Sequence, residues 1–89
     1  MNTTTPQYFP PMATPMRPQA MTDPQLLNEY HEAVSDAACY LANDDHQYAR
    51  EAIQYRNEYA AEVEKRGLLT PAEMRYQQEE KYRAYLRMN

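Results

Sequence analysis

Eighty-nine residues make at most one domain. Only ten of them are Leu, Ile, Val or Phe, which falls under the roughly 20% level below which chains tend toward disorder, although the net charge of −4 is mild. A single cysteine, Cys39, excludes an internal disulfide and fits a reducing compartment, and no apolar run approaches the ~20 residues that cross a bilayer.

Nine tyrosines offset part of the aliphatic deficit. Each can bury ~150–250 Å², provided its hydroxyl finds a partner or reaches water. A core this small supplies no more than about 3–5 kcal/mol. Composition therefore predicts a helical unit completed by a second copy or by a larger protein partner. The N-terminus lacks the basic-then-apolar run of a secretory signal, so the expected location is the cytoplasm, or a particle assembled inside a host cell.

Residues 1–21 read as an extended or disordered proline-rich arm. Pro6, Pro10, Pro11, Pro15 and Pro18 fix φ and remove donors, which excludes a helix or a central strand. Tyr8, Phe9, Pro10 and Pro11 are the arm's expected docking residues, with Met12, Met16 and Met21 as further apolar points. Residues 22–89 read as an all-α module with helices at about 23–43, 45–66 and 71–88.

The first helix opens on Thr22, with Gln25 completing a capping box and Pro24 as first helical residue. Leu27, Tyr30, Val34, Ala37 and Leu41 then recur at spacings of 3 and 4, an apolar seam widened by Leu26, Ala33 and Ala38. Glu29, Glu32 and Asp36 fall on the opposite face. Asn43, Asp44 and Asp45 break the pattern, and Asp44 with Gln47 is positioned to cap a second helix. A single helix from residue 24 to 66 is the alternative, since neither Gly nor Pro intervenes. The hairpin is favoured because one long helix would leave its apolar stripe uncovered.

On the second helix, Tyr48, Ala49, Ala52, Ile53, Tyr55, Tyr59, Ala60 and Val63 share one broad face. Arg56 lies near its middle with Asp45 on the same side, either as a snorkelling guanidinium or as half of a buried ion pair. The chain's only glycine, Gly67, can close this helix in the left-handed conformation, and Lys65 and Arg66 suit the negative end of its dipole. Thr70, Pro71 and Glu73 open the third helix at once, with Leu69 placed to staple onto Met74. That helix has a weak seam of Met74, Gln78, Tyr82, Tyr85 and Met88. Arg75, Tyr82, Arg83, Tyr85 and Arg87 mark it as the element expected to reach outward.

Chemistry is sparse. One glycine cannot build a phosphate loop. Cys39 sits near Asp36, where a thiolate is disfavoured. Neither His31 nor His46 has a metal-ligand spacing. No catalytic, metal or cofactor residues are expected, and no enzymatic activity.

Charge is unevenly spread. Residues 22–64 carry ten acidic side chains against two basic, −8; residues 65–89 carry six basic against three acidic, +3. Direct nucleic-acid binding is disfavoured, because phosphate contacts need a basic surface. The function expected is a non-catalytic interaction or assembly subunit, such as a small virion or phage component. Its partner or oligomer seam would comprise Leu27, Tyr30, Val34, Leu41, Tyr48, Ala52, Ile53, Tyr55, Tyr59 and Val63. The alternative is an acidic DNA mimic, an inhibitor or adaptor blocking a host nucleic-acid-binding protein.

Overall fold

Local chain chemistry sets the helix boundaries in the computed structural model, which describes residues 17–88. Helix α1 spans Asp23–Ala42, α2 His46–Lys65 and α3 Pro71–Met88, preceded by one 3-10 turn at Pro18–Ala20. The described residues contain no strand. This is the all-α hairpin with a third helix that the sequence leads one to expect.

Both capping boxes close reciprocally. The Gln25 amide donates to Thr22 Oγ1 at 3.3 Å while the Thr22 amide donates to Gln25 Oε1 at 2.9 Å. At α3 the Glu73 amide donates to Thr70 Oγ1 at 3.1 Å and the Thr70 amide to Glu73 Oε1 at 2.8 Å. Each box satisfies two amides that the helix leaves without partners. Thr22 is the cap of α1, so Asp23 is its first residue and Pro24 follows it, one place later than expected. Proline is harmless there too, because that amide has no intrahelical acceptor.

The hairpin turn differs from expectation in one respect. Asp44 does not cap α2; it adopts φ +58° and breaks the helix. Its amide donates to Leu41 O at 3.2 Å and the next amide, of Asp45, donates to Tyr40 O at 2.9 Å, the paired bonds of a Schellman closure. Aspartate tolerates this conformation better than most residues. The cap of α2 is Asp45, whose side chain makes no capping bond.

The same closure ends α2. Gly67 has φ +69°, its amide donates to Glu64 O at 3.0 Å, and Leu68 N–H donates to Val63 O at 3.1 Å. A Cβ at Gly67 would meet no atom within 4 Å, so backbone strain alone opposes substitution. Gly67→Ala is expected to lower stability by about 1–2 kcal/mol, and Gly67→Asn by less, measured as urea midpoints.

Helix α1 is the centre of the packing. It carries α2 on one flank and α3 on another, while α2 and α3 barely touch. The result is a slab of 47 × 34 × 17 Å, about one and a half helix diameters thick. Met21, Leu26, Tyr30, Val34, Val63 and Met74 form its core, with Leu27, Tyr59, Ala60, Leu68 and Leu69 packed against them. Leu69 and Met74 thus meet in one cluster, as a staple requires. Between α1 and α2 the buried residues are mostly alanines: Ala33, Ala37, Ala38, Ala49 and Ala52. Such an interface lets the two helices approach closely but buries little area per residue.

The start of the described chain belongs to this core. Pro18 opens the 3-10 turn, where its missing amide costs nothing, and Met21 is buried. Residues 17–21 were expected to be extended or disordered; a short turn and one buried methionine replace that at the arm's end. The rest of the arm, including Tyr8, Phe9, Pro10 and Pro11, lies outside the described residues.

Candidate functional site

The expected seam divides into two parts. Tyr30, Val34, Ala52 and Val63 are buried inside the chain, and Leu27, Leu41, Ile53 and Tyr59 are half-buried. Tyr48 and Tyr55 are half exposed, at 52% and 50%. The inner part therefore serves the chain's own core. Tyr48 rests against Tyr40 at the hairpin tip, ring centroids 5.6 Å apart.

Tyr55 instead lines an open trench of about 310 Å³ between α1 and α2. Its floor is Ala33 and Ala52, small enough to leave a depression between the helices. One wall is Glu29, Glu32 and Asp36 of α1, the other Tyr55 and Tyr59 of α2. Spacings of 3 and 4 put the three carboxylates in one row, and a spacing of 4 stacks the two rings. Carboxylates facing aromatic rings suit a cation that also carries an apolar stem, which is the chemistry of Arg and Lys side chains.

Burial and the surrounding charge act on two phenols. Tyr59 is pushed up from its usual range, first by burial and then by Glu29, Glu58, Tyr55 and Glu32. Tyr30 is pushed up by burial, against the hydrogen bond from Gln78 and the charge of Arg56. A raised phenol pKa gives stability that is whole below the unfolded value of about 10 and is lost as pH rises through the folded value. The module is therefore expected to lose helix above about pH 10, with the Tyr30→Phe and Tyr59→Phe variants each showing a shallower decline in circular dichroism.

Helix α3 turns only part of its expected seam inward, Met74, Gln78 and Tyr85, and leaves Tyr82 and Met88 exposed. Met74 is buried, Gln78 Nε2 donates to the Tyr30 hydroxyl at 3.4 Å, and that hydroxyl donates to Met74 O at 3.4 Å. Tyr85, placed by the sequence both on the seam and among the outward-reaching residues, follows the seam: it points at α1 and shares a 2.9 Å hydrogen bond with Ser35. Seven residues separate it from Gln78, two helical turns, so both fall on the packed face. Arg75, Tyr82, Arg83 and Arg87 remain on the exposed surface, joined by Leu86 at 46% exposure. A second hollow, between α1 and α3, is lined by His31, Val34, Tyr76, Gln77, Glu80, Lys81 and Ala84.

The charged residue that matters most inside the fold is Arg66, not Arg56. Arg56 is half-buried, and burial lowers its pKa. It bonds Asn57 Oδ1 at 3.2 and 3.3 Å and has no carboxylate within ion-pair distance among the described residues, Asp45 included. It snorkels. Arg66 Nε donates to Glu62 at 2.8 Å and Nη1 to Asp23 at 2.9 Å. Nη2 donates to Pro18 O at 3.1 Å and Gln19 O at 3.4 Å. Glu62 is buried beneath it. The available signal was the i,i+4 order of Glu before Arg, a favoured pairing in helices.

Cys39 is half-buried and accepts a 3.5 Å contact from Asn43 Nδ2. Among the described residues no group of three His, Cys, Asp or Glu side chains is arranged to hold a metal ion, and no helix is long and apolar enough to cross a membrane.

Compared with known proteins, the chain matches no family model, no curated protein and no solved structure.

Proposed function

We propose that the chain is a non-catalytic subunit of a protein assembly and that a protein partner docks in the trench between α1 and α2. The observation carrying this reading is the trench itself: a carboxylate row facing Tyr55 and Tyr59 over an alanine floor. Aromatic side chains half exposed beside a desolvatable depression are the residues from which binding hot spots are made. Elsewhere on the surface, α2 exposes Tyr48, and α3 exposes Tyr76, Tyr82 and Leu86. A thin slab with such faces suits a small structural component of a virion or phage particle, which is the setting we propose.

The acidic row also supports a second reading, a DNA mimic that blocks a host nucleic-acid-binding protein. A mimic relies on carboxylates standing proud of the surface, whereas here half of the feature is tyrosine and alanine, which favours the docking reading. The hairpin's charge repels phosphate in either case.

A photoreactive phenylalanine analogue at position 55, introduced in the cell that makes the protein, tests the proposal. Irradiation is expected to give a protein adduct at position 55 that is absent with the analogue at exposed Glu64 on the same helix. Equal labelling from both positions overturns the docking reading. An adduct whose formation is suppressed by duplex DNA added to the lysate before irradiation favours the mimic.

A further inference from the structure

The trench and α3 are complementary in charge and shape. Arg75, Arg83 and Arg87 are exposed on α3, and between them Tyr82 and Leu86 form an apolar strip, at 38% and 46% exposure. Arg83 is engaged only with Glu79 and Glu80 of its own helix, at 3.6 and 3.4 Å and in solvent, contacts worth little. Neither Arg75 nor Arg87 has a carboxylate in ion-pair range among the described residues. Opposite them in chemistry stand Glu32 and Asp36, four residues apart on α1, which at 1.5 Å per residue is a spacing of about 6 Å. Arg83 and Arg87 have the same four-residue spacing. Residues 22–64, which hold the trench, carry −8, whereas α3 carries four basic side chains against three acidic, +1.

Resting on the docking reading above, we propose that the trench's partner is α3 of a second copy of this chain. Tyr82 and Leu86 lie over Ala33 and Ala52, and Arg83 and Arg87 of the second copy meet Glu32 and Asp36. The surfaces in contact differ between the two copies, so the association is head-to-tail: each chain offers a free trench at one side and a free α3 at the other. A second copy explains the charge asymmetry within one short chain, because attraction of unlike ends sets both register and direction.

Two neutralised variants of the full chain test this. One carries Glu29→Gln, Glu32→Gln and Asp36→Asn; the other carries Arg75→Gln, Arg83→Gln and Arg87→Gln. All six side chains lie at the surface or half-buried, and unchanged circular dichroism verifies folding. Sedimentation equilibrium of the natural chain is expected to show mass growing with concentration beyond a dimer. Each variant alone is expected to stay monomeric. An equimolar mixture is expected to stop at a one-to-one complex, since one variant keeps only its α3 and the other only its trench. Moving the mixture from about 0.1 M to about 1 M salt, which shortens the screening length from about 10 to about 3 Å, is expected to dissociate it.

Mixing that yields no complex overturns the proposal, as does a natural chain that remains monomeric at every concentration. A chain that stays monomeric yet is photocross-linked at position 55 to a different protein discards self-docking and leaves the docking reading standing. A variant that misfolds is replaced by Tyr55→Ser, which is expected to weaken self-association at least tenfold by removing an aromatic anchor; no change overturns the proposal equally.

Discussion

Tyr30→Ala is expected to leave the module mostly unfolded at 25 °C. Tyr30 is fully buried and is the largest side chain in the core. It lies where α1 meets both of its neighbours, packed with Val63 of α2 and Met74 of α3. Truncating a buried aromatic to alanine costs about 3–5 kcal/mol, and a core of this size supplies only about 3–5 kcal/mol. The alanine-rich contact between α1 and α2 cannot absorb the loss, because it buries small methyl groups. Tyr30→Phe isolates the hydroxyl. Both of its hydrogen bonds are 3.4 Å long, so the phenylalanine variant is expected to lose only about 0.5–1 kcal/mol. Urea titration followed by circular dichroism separates the two variants. Native helix content and a native midpoint in Tyr30→Ala would show that the packing centre lies elsewhere.

Much of the fold was legible in the sequence because it is written in local punctuation. Thr22 with Gln25, Gly67, and Thr70 with Glu73 each act within one turn of chain, so residue type and spacing suffice to place the ends of α1, α2 and α3. Asp44 was harder. Aspartate serves both as an N-cap and as a left-handed residue, and the choice depends on whether the next residue can take over as cap. The candidate site was only partly legible. Helical periodicity places Tyr55 and Tyr59 on one face but does not say how far the face of α1 covers them, so the buried seam and the open trench look alike in sequence. Tyr85 illustrates the same limit from the other side. In a helix whose inward face beyond Met74 carries Gln78 and Tyr85, polarity gives little direction, and the meeting with Ser35 fixes which way the ring turns.

Arg66 is the second residue on which the fold is expected to depend. Its guanidinium joins the end of α2, the start of α1 and the turn at Pro18–Ala20. The hydrogen bonds to Glu62 and Asp23 raise its pKa, so it is charged at any working pH. The side chain of Glu62 is only 9% exposed, and the burial of its carboxylate is compensated by this one cation. Removing the cation alone strands a buried charge, which is more damaging than removing both partners. Arg66→Met keeps most of the apolar stem and deletes the guanidinium. It is expected to melt well below the natural chain, and Arg66→Met combined with Glu62→Met is expected to melt at an intermediate temperature. Because Arg66 also holds the carbonyls of Pro18 and Gln19, both variants are expected to lose hydrogen-exchange protection at the Ala20 and Met21 amides, which donate within that turn. If the single variant melts no lower than the double one, Glu62 is not a stranded charge and the three-way tie contributes little. If protection at Ala20 and Met21 survives in both, the buried methionine alone holds the turn in place.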